Sequence, residues 1–351
     1  MTNLITKSLT TLNTYCKSCD FIRRQTNPQK IADEQNRKLK ILINCAYQNT
    51  KYYRELFDCN SITPHDIKSS ADLSKIPILT KSQLRDRFWD FLPNQIPPSK
   101  LSRTSGSTGI PLCILSDSNS RINNSAAVIR YRKSLGINPI GKTILTPIKT
   151  ENTPPKPPHW TFLQGIHKTF YINPYSKKQS DINTSAQTIK KLRKPAIIGI
   201  TPAVTALAQL IQNTSLPPLE PSAVLTTGQY LSDSAKKLLE NTFKTKVTDI
   251  YACSEAGDIA FQCPQSGLYH INADNCIVEI LKDNKPAEPD NIGQVTITNL
   301  NRLVMPIIRY KNGDLAKFSQ TPCPCQSALP TIAEIIGRTG DNITTNEGKI
   351  I

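Results

Sequence analysis

The sequence predicts an α/β protein whose sheets are mostly parallel and flanked by helices, with a small antiparallel β region. From residue 96 onwards, short apolar runs alternate with segments of helical periodicity, which is typical of a parallel sheet. Two later segments alternate apolar and polar residues with a period of two, which is typical of antiparallel strands. The first 95 residues are polar and helical in pattern.

Four strands and four helices account for the alternating part of the chain. The apolar runs predict strands at residues 143–147, 196–200, 223–226 and 247–251. The helical patterns lie at residues 119–135, 185–194, 201–212 and 233–243. Thr201 and Pro202 predict a helix start, with Thr201 as the N-cap and Pro202 at the first helical position. The period-two segments predict antiparallel strands at residues 269–281 and 293–300.

The composition is that of a folded protein and argues against several classes. The 351 residues include 43 Lys+Arg and 27 Asp+Glu, which gives a formal charge of +16. The basic residues are scattered and no base-reading motif accompanies them, so a solvated surface is favoured over a nucleic-acid site. No apolar stretch approaches the ~20 residues of a membrane span, and residues 1–14 lack the apolar region of a signal peptide. We therefore expect a cytoplasmic protein that binds neither nucleic acid nor a membrane.

One literal match to a phosphate-loop pattern is misleading. Residues 136–143 fit GxxxxGK[ST] letter for letter. A working phosphate loop follows a strand and opens a helix, so that the helix N-terminal amides face the phosphates. Here a predicted helix precedes the pattern and a predicted strand follows it. A plain helix-to-strand turn is therefore the favoured interpretation.

A segment rich in hydroxyl groups and glycine is the better candidate for holding phosphates. Residues 102–111 read Ser-Arg-Thr-Ser-Gly-Ser-Thr-Gly-Ile-Pro. The glycines allow close approach of the backbone to a ligand, and the hydroxyls and amides supply hydrogen-bond donors. Three further segments follow in a set order, at residues 251–255, 310–314 and 337–341. Each is a weak signal alone, but their order and separations are hard to obtain by chance.

Together these segments resemble the adenylate-forming superfamily, and within it the branch of phenylacetate–CoA ligases and coenzyme F390 synthetases that includes CapK-like proteins. The likeness runs from about residue 41 to residue 341. It includes Tyr52-Tyr53-Arg54, Ile-Pro-Ile-Leu-Thr-Lys at residues 76–81 and Leu-Thr-Thr-Gly-Gln at residues 225–229. The resemblance implies the large N-terminal adenylation domain of this fold and an AMP-forming, acid–thiol ligase-like enzyme.

The resemblance also implies a catalytic group around the triphosphate of ATP. The loop that would hold the β- and γ-phosphates consists of Thr104, Ser105, Gly106, Ser107, Thr108 and Gly109. Ser254 would touch the α-phosphate, and Glu255 would ligate Mg²⁺, whose charge offsets the charge that builds on the phosphorus. The implied catalytic residues are therefore Glu255, Ser254 and Thr108.

Five other residues would bind the nucleoside part of ATP, by the same resemblance. Gly228 and Gln229 would flank the adenine, and Tyr251 would stack on it. Asp314 would accept hydrogen bonds from both ribose hydroxyls, for which the two oxygens of a carboxylate are suited. Arg338 would add a donor near the ribose or a phosphate.

Three cysteines and a histidine form a candidate metal site. Cys263 and His270 lie on one segment, and Cys323 and Cys325 form a Cys-Pro-Cys sequence further along the chain. Four ligands of these types suit a closed tetrahedral Zn²⁺ site, which leaves no open position for catalysis. Relatives in the branch carry a similar set, which favours structural zinc. Three unliganded thiols and a surface histidine are the alternative.

The domain plan follows from the resemblance. Residues 1–95 are expected to form a helical region packed on a core of residues 96–341, with an antiparallel subregion at about 262–336. Residues 342–351 would be a hinge stub after Asp341, so we expect the small C-terminal domain of the superfamily to be absent. Because that domain serves the thiol-transfer step, transfer to CoA or another thiol is in doubt.

The sequence thus predicts ATP- and Mg²⁺-dependent adenylation of a small carboxylic acid, with release of pyrophosphate. Two alternatives stay open. One is nucleotidyl transfer of the coenzyme F390 synthetase type, and the other is non-catalytic nucleotide binding. The candidate partners are the acid, a thiol acceptor such as CoA, a separate chain supplying the small domain or a carrier protein, and a second copy in a homodimer.

Overall fold

The structure is a computed structural model that describes residues 2–103, 111–148, 150, 156–214 and 216–339, except for the side chains of residues 2–8. Of the predicted site residues, Thr104, Ser105, Gly106, Ser107, Thr108 and Gly109 lie outside the described residues, as does Asp341. None of the described helices is long and apolar enough to cross a membrane.

The described secondary structure consists of eight α-helices, fifteen strands and three short 3-10 helices. Helices α1 to α8 are Thr2–Arg24, Pro28–Asn49, Lys51–Cys59, Lys81–Asp86, Ser118–Ser134, Gln179–Lys190, Thr201–Asn213 and Asp233–Phe243. Strands β1 to β8 are Ser99–Arg103, Cys113–Asp117, Ile140–Pro147, His159–Thr161, Ile166–Ile172, Ala196–Ile200, Ala223–Thr227 and Val247–Cys253. Strands β9 to β15 are Gly257–Gln262, Tyr269–Ile271, Cys276–Lys282, Lys285–Pro286, Gly293–Asn299, Tyr310–Phe318 and Thr331–Arg338. The 3-10 helices are Pro64–Asp66, Ser70–Lys75 and Phe88–Phe91.

The chain folds into two compact units. The first, called the parallel unit here, comprises residues 1–19, 125–252 and 261–264. The second, called the antiparallel unit, comprises residues 20–124, 253–260 and 265–351. Each contains its own cluster of fully buried apolar side chains.

The parallel unit contains the strands that the alternating pattern predicts. Strands β3, β6, β7 and β8 pair in parallel, β5 joins β3 in parallel, and β4 pairs antiparallel with β5. Leu145, Ile197 and Val224 from three of these strands pack with Leu207 and Phe243 from the helices. Strands covered by helices are apolar along their whole length, because both faces are buried. This is why short apolar runs located them, and the predicted fold class is confirmed.

Two helix predictions in this unit need correction. The pattern predicts a helix at residues 185–194, but helix α6 begins at Gln179 and ends at Lys190. Its first turns are polar, so the apolar pattern does not reveal its start, and the chain cannot stay helical as far as Pro195. Helix α7 begins at Thr201, and the extended residue Ile200 is its N-cap. Thr201 is therefore not the cap. Its hydroxyl instead donates a hydrogen bond to the carbonyl oxygen of Gln229, 3.0 Å away.

The helix-to-strand interpretation of residues 136–143 is confirmed. Helix α5 ends at Ser134 and β3 begins at Ile140. Gly136 and Gly141 both have positive φ angles, of 73° and 79°, which glycine adopts without steric cost. The segment turns the chain from a helix into a strand and does not open a helix on a phosphate.

The antiparallel unit is built on a meandering sheet and a short hairpin. Strands β12, β11, β13, β14, β15 and β10 are neighbours in that order, and their pairing is antiparallel. The hairpin pairs β1 with β2, so that Arg103 lies opposite Cys113. Leu42, Tyr53 and Phe57 from α2 and α3 pack in the same core as Met305 and Ile308.

The prediction of one continuous strand at residues 269–281 is wrong. The chain forms β10 and β11 there, separated by a turn in which the amides of Asn275 and Cys276 donate to the carbonyl oxygen of Asn272, at 2.7 and 3.0 Å. The period-two pattern breaks here, because Asp274 and Asn275 are both polar and residues 276–278 are all apolar. The turn residues Asn272, Asp274 and Asn275 are types that favour turns.

Candidate nucleotide site and metal centre

Glu255 is the best defined of the predicted site residues. It lies two residues beyond the end of β8 and is only 8% exposed. The hydroxyl of Tyr310, the first residue of β14, donates to Glu255 Oε1 at 2.9 Å. Burial raises the pKa of the Tyr310 hydroxyl, and the neighbouring carboxylate raises it further, so the hydroxyl stays a donor. Among the described residues Oε2 has no hydrogen-bond partner, which leaves it available to a ligand.

Ser254 and Cys253 precede this carboxylate. Ser254 is exposed, and its carbonyl oxygen accepts a hydrogen bond from Arg302 at 3.3 Å. Burial raises the pKa of the Cys253 thiol, and the charges of Glu255 and Asp314 raise it further. Glu255, the predicted magnesium ligand, and Asp314, the predicted ribose-binding acid, both belong to the antiparallel unit.

Asp314 lies on β14, opposite Arg338 of β15. Its Oδ2 accepts a hydrogen bond from Asn312 Nδ2 at 2.6 Å, and its Oδ1 lies 3.4 Å from Arg338 Nε. Asp314 is 9% exposed, and the preceding Gly313 has a φ of 87°, which a residue with a side chain adopts only under strain. The Asp314 carboxylate is thus oriented on both sides, by Asn312 and Arg338. The roles of Asp314 and Arg338 in binding a nucleotide stay predictions.

The predicted adenine-binding residues belong to the parallel unit. Gly228 follows β7 with a φ of 80°, and a Cβ atom there would approach Ile200 Cγ2 to 3.3 Å. Gln229 is exposed, and its carbonyl oxygen accepts a hydrogen bond from the Thr201 hydroxyl. Tyr251 lies on β8 and is 8% exposed. Their role in binding adenine stays a prediction.

The predicted zinc ligands form a compact group. The ligand atoms of Cys263, His270, Cys323 and Cys325 all lie within 4.8 Å of one another. His270 Nε2 lies 3.1 Å from Cys325 Sγ, and His270 is 1% exposed. Tetrahedral zinc, with Zn–S of about 2.3 Å and Zn–N of about 2.0 Å, separates its ligand atoms by about 3.5 to 3.8 Å. The donor types fit this metal, and the group is compact enough that shifts of about 1 Å would bring its ligand atoms to these separations.

Sequence reasoning missed two residues that orient Glu255. Tyr310 stood in a recognised segment, but nothing in the pattern indicated that its hydroxyl contacts a carboxylate 55 positions earlier in the chain. Arg302 carries no local signal at all. Both become visible only when the antiparallel unit is assembled.

Replacing Tyr310 with phenylalanine should weaken any ligand interaction of Glu255. A hydrogen bond to a charged group contributes about 1.5–3 kcal/mol, so we expect a loss of about tenfold to a hundredfold in apparent Mg²⁺ affinity. Titration of Mg²⁺ into a pyrophosphate-release assay measures this loss. Tyr47→Phe is the matched control, because Tyr47 donates to Asp58 at 3.0 Å on the exposed surface. Equal Mg²⁺ dependence in both variants would contradict a role for Tyr310 in orienting Glu255 toward a ligand.

Comparison with known proteins identifies relatives along most of the chain. The phenylacetate-coenzyme A ligase of Thermus thermophilus is 25% identical over 332 residues, which cover 89% of this chain and 71% of that protein. Protein CapK of Staphylococcus aureus is 20% identical over 338 residues, which cover 94% of this chain and 73% of that protein. No model of a protein family matches the chain.

A solved structure shows the same fold. The 2-hydroxyisobutyryl-CoA ligase, in the postadenylation state with R3-HIB-AMP, has a TM-score of 0.75 and 20% identity, covering 94% of this chain and 72% of that one. The resemblance predicted from the motifs is therefore confirmed. The chain is similar to phenylacetate–CoA ligases and to CapK along most of its length, and it shares the α/β fold of the 2-hydroxyisobutyryl-CoA ligase.

Proposed function

We propose that this protein catalyses the ATP- and Mg²⁺-dependent adenylation of a small carboxylic acid, with release of pyrophosphate. The observation that carries the proposal is the placement of Glu255. It is a buried carboxylate with one oxygen fixed by Tyr310, and a second acid, Asp314, lies on the strand that begins with Tyr310. The relatives named phenylacetate-coenzyme A ligase support acid activation, and they support CoA as the acceptor to test.

The residues fit a magnesium site of the type that forms with a nucleotide. Mg²⁺ takes oxygen ligands and is usually bound by one or two carboxylates together with substrate phosphates. Glu255 Oε2 supplies such an oxygen. When bound, the ion would offset negative charge at the transferring phosphoryl group.

The remaining residues orient the reactants. Asp314, held by Asn312 and Arg338, is arranged to accept hydrogen bonds from a ribose. The exposed hydroxyl of Ser254 is free to donate to an α-phosphate oxygen, next to Glu255. An oxygen of the acid then forms a bond to the α-phosphorus while the bond from that phosphorus to pyrophosphate breaks. Catalysis of this kind depends on positioning and charge stabilisation.

We also propose that Cys263, His270, Cys323 and Cys325 hold a structural zinc ion. The support is their proximity and burial, together with the match between thiol and imidazole donors and zinc. Four protein ligands complete a tetrahedral shell, so this site has a role in stability and not in the adenylation step.

The purified full chain tests the proposed activity. We expect acid-dependent pyrophosphate release from ATP and Mg²⁺ with at least one member of a panel of aryl and short aliphatic acids, and a product with the mass of an acyl-AMP. A nucleotidylated hydroxyl product would support the coenzyme F390 synthetase type instead. ATP binding without turnover on any acid would support a non-catalytic protein. Adding CoA to the same reactions shows whether a thioester forms.

A further inference from the structure

Arg302 is a buried arginine between β13 and β14 whose contacts join two separate segments of the antiparallel unit. It is 5% exposed. Its Nη1 donates to the carbonyl oxygen of Leu115 and to the hydroxyl of Ser116, both at 2.6 Å. Its Nη2 donates to the carbonyl oxygen of Ser254 at 3.3 Å. One guanidinium group therefore ties β2 to the residue before Glu255.

The neighbouring Asn299 reinforces this connection from the other side of Glu255. Its Nδ2 donates to the carbonyl oxygen of Ala256 at 2.9 Å, and its Oδ1 accepts from the backbone amide of Arg302 at 3.1 Å. The carbonyl groups immediately before and after Glu255 are thus both held by side chains of one short segment. The backbone of Glu255 is fixed independently of the Tyr310 hydrogen bond.

The charge of Arg302 is costly where it lies. None of the ion pairs within the described part of the chain includes Arg302, and its Nε has no hydrogen-bond partner among the described residues. Burial lowers the pKa of Arg302 to about 10, although the charges of Asp117 and Glu255 act in the opposite direction. A buried cation without a paired anion destabilises a fold. Stability alone therefore does not account for an arginine at this position.

The other end of this connection is β2, which pairs with β1 in the hairpin. Strands β1 and β2 flank residues 104–112, and Leu115 and Ser116 lie two and three residues after Cys113, the first residue of β2. We propose that Arg302 is a positioning residue that fixes the backbone next to Glu255 against β2, so that the Glu255 carboxylate is held where the phosphate end of a nucleotide would bind. This assignment rests on the proposed function. The planar fork of the guanidinium reaches three acceptors at fixed angles, which the single ammonium group of lysine does not reproduce.

Loss of the Arg302 guanidinium should weaken binding of the phosphate end of the nucleotide and leave binding of the nucleoside end unchanged. In Arg302→Lys the charge is kept and the fork is lost, so we expect MgATP affinity to fall about tenfold or more and kcat for pyrophosphate release to fall by up to about a hundredfold. Adenosine affinity should stay within about twofold of the wild type. A purely structural loss would lower the amount of active protein and leave the ratio of MgATP to adenosine affinity unchanged. Calorimetric titrations of both ligands measure that ratio.

Arg132→Lys is the matched control, because Arg132 is 8% exposed and contacts Gln164 in the parallel unit. Should Arg302→Lys not fold, Ser116→Ala removes one acceptor of the fork and is expected to lower the same ratio by about threefold. If the wild type binds MgATP and the ratio in Arg302→Lys equals that in Arg132→Lys, the assignment is overturned while the proposed function stands. If the wild type binds no MgATP, the proposed function fails and the assignment fails with it.

Discussion

Glu255→Gln is expected to lower acid-dependent pyrophosphate release by about a hundredfold or more. Glutamine keeps the shape of the side chain and an oxygen that can accept the Tyr310 hydrogen bond, so the local fold should survive. The substitution removes the negative charge that the proposed Mg²⁺ site requires from this residue. Removal of a single electrostatic contact in a preorganised site typically costs about 10²–10³ in kcat. The initial rate of pyrophosphate release at saturating ATP measures the effect.

The control separates loss of charge at the site from loss of charge in general. Glu288 is exposed on the antiparallel unit, and Glu288→Gln should keep wild-type activity. Raising the Mg²⁺ concentration should restore part of the activity of Glu255→Gln if the defect is one of metal affinity. Wild-type rates in Glu255→Gln, at unchanged ATP binding, would mean that Glu255 is not the metal ligand, and a non-catalytic nucleotide-binding role would gain support.

The sequence predicted the parts of the fold in which local pattern and tertiary environment agree. Strand β6 was located to the residue, because a strand buried on both faces is apolar along its whole length. The break between β10 and β11 was missed, although Asp274 and Asn275 interrupt the alternation of apolar and polar residues and are types that favour turns.

The site was predictable where its residues lie in recognisable segments and not where they act across the chain. Glu255 follows β8 and Asp314 lies on β14, and both belong to segments with a recognisable order. Arg302 acts on a carbonyl group 187 residues earlier in the chain, through a backbone acceptor that every residue possesses. The residue type at Leu115 gives no sign of such a contact. Contacts from side chains to distant backbone carbonyls can therefore be recognised only in the assembled sheet.

The proposed metal centre is expected to contribute strongly to the thermal stability of the protein. We expect one zinc ion per chain by elemental analysis, and Cys323→Ser should lower Tm by about 10 °C or more. Structural zinc contributes about 10–16 kcal/mol of apparent binding free energy in small zinc domains. Because the antiparallel unit has its own apolar core, its folding should depend on zinc less than the folding of a small zinc domain does. Each kcal/mol of stability lost still lowers Tm by about 2–4 °C in a protein of 150–250 residues. Differential scanning calorimetry with and without a strong chelator measures both changes.

The matched control is a buried thiol outside the ligand group. Cys276 is 0% exposed, and its Sγ lies 3.8 Å from the carbonyl oxygen of Ile259. Cys276→Ser measures the cost of exchanging a buried sulfur for oxygen, and chelator should lower its Tm as much as it lowers that of the wild type. Cys323→Ser should instead be insensitive to chelator, because its site is already broken. Absence of zinc from the wild type, with equal Tm losses in the two variants, would support unliganded thiols, since burial alone would then explain the cost at Cys323.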